Sequence, residues 1–228
     1  MSNRYQLLAN KHYCINVEGL FGKVSLFNQR FVCIGQVFYQ EKLLSIEQLY
    51  TLISTAYAEQ KLNNLLAMLS GFYSFIFISD KNVVAVCDKL RSRPLFYTVS
   101  EQVLHIYDSA QYVMENLQSY NTDLLSEQEL AQAGYVSGGN TLVAQLQQVS
   151  ASSYLKYSLL SASYSHNCYY QFLPANNNND IAASQLHCDL DSAMKSSIEQ
   201  LITYANGRQL VVPLSGGYDS RAIALYLK

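Results

Sequence analysis

Residues 211–228 read VVPLSGGYDSRAIALYLK, and this stretch restricts the chain more than any other. The apolar run QLVVPLS, 209–215, has the pattern of a strand buried on both faces of a parallel sheet. Gly216 and Gly217 then allow a tight turn and a close approach of the backbone to a ligand. A helix is expected from near Asp219, directing free N–H groups and a partial positive charge at the loop. Ser215 and Ser220 add hydroxyl donors. Strand, Ser-Gly-Gly, spacer, Asp-Ser and helix together predict a phosphate-binding loop; the bland alternative is a ligand-free strand-to-helix turn. The loop is neither a Walker A sequence nor a GxGxxG fingerprint. Two roles are open for Asp219: sharing a Mg²⁺ with bound phosphates, or capping the helix. Two are open for Arg221 as well, support of a phosphate or exposure to solvent.

A second Ser-Gly-Gly, in YVSGGNTL at 135–142, lacks the preceding strand, the Asp-Ser and the following helix, and reads as a plain turn. From Tyr5 to Val113 most segments read as strands. These are YQLLA, HYCINVEG, RFVCIGQVFYQ after a turn at Phe27–Arg30, and GFYSFIFISD joined to VVAVCD through Asp80-Lys81-Asn82. PLFYTVS and VLHIYDS form a further hairpin about Glu101-Gln102. One helix interrupts them, with Ile46, Leu49, Ile53, Ala56 and Tyr57 at helical spacing and Ser45 and Gln48 as a capping box. KLNNLLAMLS continues as a second helix to Gly71, and a third is expected from Ser126, paired with Glu129. Strands followed by helices read as an α+β fold.

PANNNND, 174–180, is polar and turn-prone and reads as a linker. A helix follows from about Ala182 to Tyr204, on Leu186, Leu190, Met194, Ile198 and Leu201, with Gly207 available as a left-handed cap. The domain division is therefore 1–175 and 181–228. Residues 181–228 read as the opening of a larger domain, expected to be poorly packed or paired with another chain.

Composition excludes several classes. Net charge is −2 and no Lys/Arg stripe exists, so a nucleic-acid footprint is absent. Apolar runs such as FIFI are too short to span a bilayer, and the N-terminus lacks the apolar region of a signal peptide. Five cysteines, an odd number without CxxC, suit reduced thiols in a cytoplasmic protein. His12, His105, His166 and His187 lack metal-ligand spacing.

PLSGGYDSRAIA resembles the pyrophosphate-binding loop of the N-type ATP pyrophosphatases, the synthetase half of asparagine synthetases. GFYSFIFISD…VVAVCDKLRSRPLFY is similar to a segment of class II glutamine amidotransferase domains, and the stretch from SEQELAQAGYV to SSYLKY resembles the inter-domain region of asparagine synthetases. The resemblance implies an Ntn-type αββα sandwich, then the start of a parallel α/β PP-loop domain. It implies ATP and Mg²⁺ as cofactors, adenylation of a small-molecule or peptide carboxylate, and attack by an amine donor. Leu214, Ser215, Gly216, Gly217, Asp219 and Ser220 match the loop that holds ATP and its pyrophosphate, with Asp219 as the Mg²⁺ ligand. A homo-oligomer is left open.

The chain departs from that family at the glutaminase. Position 2 is Ser2 where the family has cysteine, and Cys14 falls inside a strand. Ile34, Gly35 and Gln36 stand for the Asn-Gly-Glu that holds glutamine, and Ser70 for an aspartate. The expectation is a degenerate glutaminase domain acting as scaffold, with nitrogen from ammonia or a substrate amine. Alternatives are an Ntn hydrolase using Ser2 and a wholly non-catalytic scaffold. Asp88 and Arg93 are expected to fix a turn, and Asp108-Ser109 to form another.

Overall fold

The computed structural model describes residues 5–19, 22–116, 120–173 and 181–228. Ser2 and the expected linker at 174–180 lie outside the described residues. The elements open with β1 (Tyr5–Ala9), β2 (Tyr13–Val17), β3 (Val24–Phe27), β4 (Phe31–Tyr39) and β5 (Lys42–Leu43). Helices α1 (Ile46–Ala58) and α2 (Leu62–Met68) precede β6 (Leu69–Ile78), β7 (Asn82–Cys87), β8 (Phe96–Ser100) and β9 (Val103–Tyr107). Then come α3 (Ala110–Asn116), α4 (Leu124–Ala133), β10 (Gln147–Gln148), β11 (Ser153–Ser158), β12 (Tyr164–Cys168), α5 (Ala183–Ala205) and α6 (Tyr218–Tyr226). The chain divides into two units, Met1–Val37 with Leu44–Gln171, and Phe38–Leu43 with Phe172–Lys228.

The first unit is α+β with two sheets. One has the order β1-β2-β9-β8-β10, the other β12-β11-β7-β6-β4-β3; the short pairing of β5 with Phe38 and Tyr39 of β4 lies within the second unit. Strand periodicity explains how they meet. Ile15 and Val17 of β2, Tyr97 of β8, and Leu104 and Ile106 of β9 share one buried cluster with Val32, Ile34, Ile76, Ile78, Val83, Ala85, Leu155 and Tyr157 of the second sheet. The alternate residues of the second sheet turn to the helices. Phe77 lies 6.1 Å from the ring of Tyr50 and 5.3 Å from that of Tyr57, both on α1. Phe31 lies 5.9 Å from Tyr50. Both faces of β6 and β7 are therefore covered, which is why IFI and VVAV run apolar instead of alternating with polar residues. On the first sheet, Val113 of α3 packs with Val143, Leu146, Phe96 and Tyr107.

Three two-residue turns place both central residues in the left-handed region: Asn28-Gln29, Gln40-Glu41 and Glu101-Gln102. This conformation matches the twist of hairpin strands, and here it occurs without glycine. β2 and β9 pair in parallel, and the chain between them supplies β3, β4, β6 and β7 of the second sheet. Asp108 secures that junction: its carboxylate accepts from the Glu18 N–H at 2.8 Å and the Gly19 N–H at 2.9 Å. Ser109 Oγ accepts from Tyr112 N at 3.2 Å at the start of α3, a helix the sequence pattern does not signal.

Several expectations are corrected. The second helix ends at Met68, and Leu69 and Ser70 already belong to β6. The cap of α4 is Asp123, whose Oδ1 accepts from Ser126 N at 2.8 Å, while Glu129 accepts from the N–H and hydroxyl of Ser137. The left-handed C-cap of α5 is Asn206 (φ 48°), with Gly207 following at φ 78°. Residues 209–215 form no strand. Apolarity alone does not hold an extended segment; it needs hydrogen-bonded neighbours, and Pro213 offers no N–H. Val211 is 78% and Leu214 66% exposed. Among the described residues no helix is long and apolar enough to cross a membrane.

Candidate functional site

The glycine loop sits at the N-terminus of α6 in the second unit. Leu214 and Ser215 lead into Gly216 at φ 82°, a conformation that excludes ordinary side chains. Gly217 is the N-cap at φ −74° and ψ 164°, extended backbone open to any residue. A Cβ at Gly217 would meet only Ser215 Oγ, at 3.5 Å, so nothing among the described residues requires glycine there. No side chain caps α6, which leaves its first-turn amides to be met from outside the helix. Asp219 lies in the first turn and is not the cap, which removes the capping role left open for it.

Two hydroxyls face one another across the loop, Ser215 Oγ and Ser220 Oγ at 3.4 Å, and Ser220 Oγ donates to the Gly217 carbonyl at 3.3 Å. Arg221 curls back: its Nη2 donates to the Gly216 carbonyl at 2.6 Å, and its guanidinium lies 5.9 Å from the Tyr218 ring centroid. One guanidinium donor is thus spent on holding the loop. The far end of α6 is tied to α5 by Tyr226, whose hydroxyl donates to Asp191 Oδ1 at 2.8 Å. Asp191 also pairs with Lys195 at 2.7 Å, one turn on. Lys195 first, then Tyr226, hold the Asp191 carboxyl below its ordinary value. The loop thus gathers backbone N–H donors, two hydroxyls and one carboxylate on a fixed helix. Such a donor set suits a polyanion carrying its own cation, because Mg²⁺ takes one or two carboxylates alongside phosphate oxygens and water. Among the described residues no group of three or more His, Cys, Asp and Glu side chains is placed to hold a metal on its own.

The positions expected to have lost glutamine binding lie in the first unit. Gly35 of β4 has φ 94°, and a Cβ there would fall 2.0 Å from the Phe72 carbonyl oxygen of the neighbouring β6, so this position admits only glycine. Gly22 abuts Gly35, and a Cβ on it would meet Arg93 Nε at 3.1 Å. Gln36 has a buried amide oxygen with no hydrogen-bond partner among the described residues. Cys14 lies within β2, where Asn16 Nδ2 approaches its sulfur at 3.4 Å. Asp88 fixes a turn by hydrogen bonds: it accepts from Tyr73 N, Leu90 N, Ser92 N and the Ser92 hydroxyl. Arg93 Nη1 donates to the Ser92 carbonyl at 3.1 Å. The second Ser-Gly-Gly is a turn, with Gly138 at φ 66° and Gln148 donating to both glycine carbonyls. Two histidines are built into the packing: His166 Nε2 lies 2.7 Å from the Tyr97 hydroxyl, and His105 stacks on Tyr107.

A polar hollow at the end of α1, lined by Tyr57, Lys81, Tyr154 and Lys156, has no counterpart in the sequence reading. The alternation of β11, with Leu155 and Tyr157 apolar, was the available signal that Tyr154 and Lys156 share a face. Neither a scan against models of protein families nor a search of curated proteins finds a match to this chain.

Proposed function

We propose that this chain is the amino-terminal part of an asparagine-synthetase-like, ATP-dependent amide-forming ligase of the cytoplasm. In this reading residues 181–228 open the synthetase half, and Ser215, Gly216, Gly217 and Ser220 hold the pyrophosphate of ATP. Asp219 would share a Mg²⁺ with the phosphates, and Leu214 would border the adenine. When bound, ATP supplies the adenylate that activates a carboxylate, and ammonia or a substrate amine displaces AMP.

One observation carries the reading: the uncapped α6 begins at a glycine that no contact or dihedral among the described residues demands. A ligand brought against the backbone would demand it. Arg221, already bonded to the Gly216 carbonyl, acts as a brace for the loop.

The first unit fits the Ntn-type sandwich as a scaffold. Two sheets share a core and helices lie on outer faces, as that fold requires. Gln36 and Ser70 are neutral where the resemblance calls for acidic groups, so glutamine's ammonium finds no carboxylate from them.

The test is equilibrium binding of Mg²⁺-pyrophosphate and Mg²⁺-ATP to the 228-residue chain by calorimetry. Binding is expected, Ser215→Ala should weaken it about tenfold, and Asp219→Asn should abolish its Mg²⁺ dependence. No binding, or binding indifferent to both substitutions, would reject the assignment. Amide formation from ATP is not expected of this chain alone.

A further inference from the structure

Leu155 and Tyr157 of β11 face the shared core, so Tyr154 and Lys156 occupy the opposite face of the second sheet. Helix α1 covers part of that face and stops at Ala58. Gln60 turns left-handed at φ 59°, and Lys61 N returns to the Ala56 carbonyl at 2.8 Å. Beyond this stop Lys156 of β11 stays partly exposed, beside a buried Tyr154. A hollow of about 970 Å³ opens between the end of α1, the Ser79–Asn82 turn and β11.

One wall of the hollow is held by side-chain contacts. Asn82 Nδ2 donates to the Tyr57 hydroxyl at 2.8 Å, and the Tyr57 ring packs on Phe77 at 5.3 Å. Lys156 Nζ is held 5.7 Å from the Tyr57 ring centroid. Among the described residues neither Lys156 nor Lys81 forms an ion pair. The acidic group in the lining, Asp80, is paired with Arg30 at 2.8 Å. Two ammonium groups, with the amides of Asn63 and Asn64, therefore line a roomy concavity whose one carboxylate is turned to Arg30. A ring face stabilises a cation only in part, which leaves the Lys156 ammonium free to accept an anion.

We propose that this hollow binds a small organic anion bearing a phosphate or carboxylate group, with its charge on Lys156 and Lys81. Its remaining oxygens face the Asn63 and Asn64 amides. The site is separate in sequence from the 215–220 loop, so the two are distinguishable residue by residue.

The experiment is an amide chemical-shift titration of the full, isotope-labelled chain with inorganic phosphate and, separately, with malonate. Saturable shifts are expected at 57–64, 79–82 and 154–156, stronger for whichever anionic group the site prefers. Lys156→Met should weaken that binding about tenfold. Lys81→Met, on the exposed turn, should weaken it too while leaving the melting curve unchanged. Shifts confined to 215–220, shifts scattered over all basic residues, or titrations unaltered by both variants would overturn the proposal. So would no response to either anion at tens of millimolar.

Discussion

Replacing Asp88 with asparagine removes one negative charge and one acceptor from a carboxylate that is 2% exposed. That carboxylate receives Tyr73 N at 3.0 Å, Leu90 N at 2.8 Å, Ser92 N at 3.2 Å to both oxygens, and the Ser92 hydroxyl. The Asp88 backbone bonds to Tyr73 O, Arg91 N and Ser152 N survive the substitution. The amide oxygen of asparagine can serve only one side of the turn, and its NH₂ must then face N–H donors. Hydrogen bonds to a charged acceptor contribute about 1.5–3 kcal/mol each, and a stranded buried donor costs about 1–3 kcal/mol. With at least one donor stranded and the others weakened, the loss comes to about 3–5 kcal/mol, among the larger effects of single substitutions. Urea unfolding followed by circular dichroism at pH 7 reads this directly. At a slope of about 2 kcal/mol/M the midpoint should fall by about 2 M, with the slope unchanged. Ser92→Ala, which removes one donor and strands none, should cost only about 1 kcal/mol. A loss below about 1 kcal/mol for Asp88→Asn would refute the view that this carboxylate holds the turn.

Gly35→Ala forces a Cβ to within 2.0 Å of the Phe72 carbonyl oxygen on a left-handed backbone. It should cost about 4 kcal/mol or more, and a melting temperature within a few degrees of the parent would contradict the close approach of β4 to Phe72. Burial holds the His166 imidazole below its ordinary pKa. Its contribution is therefore fully present above the unfolded value of about 6.5 and is lost as pH falls through the lower folded value. Melting temperature should drop on acidification below about pH 6.5, and His166→Gln should flatten part of that drop, to which His105 adds by the same mechanism. An identical pH profile in the variant would exclude His166 as a source.

Local rules carried much of this fold because strand and turn signals here depend on near neighbours. The Ser45–Gln48 capping box is present as the spacing predicts, and hairpins fall at Asn28-Gln29 and Glu101-Gln102. The spacing of Ser126 to Glu129 puts the start of α4 at Ser126, whereas Asp123 caps the helix and Ser126 is buried in its first turn. α3 escaped notice because a seven-residue helix burying essentially Val113 leaves no periodic stripe. The segment 209–215 looked like a strand because composition reports burial, whereas strand formation needs a partner in space. The glycine loop could be read because its residues are contiguous. The hollow at Lys156 could not, because its walls come from three stretches that only the early stop of α1 brings together.

The parallel pairing of β2 with β9 has a consequence for synthesis. Tyr13 must find Leu104, and Glu18 and Gly19 must find Asp108, some ninety residues later in the chain. As the polypeptide leaves the ribosome, the β1–β2 hairpin emerges first with one edge unpaired, and it stays so until β9 has been made. At about 5–20 residues per second that interval lasts several seconds. During it an apolar edge carrying Tyr13, Ile15 and Val17 is open to other nascent chains, so crowding on polysomes, rather than final stability, sets the hazard of misassembly.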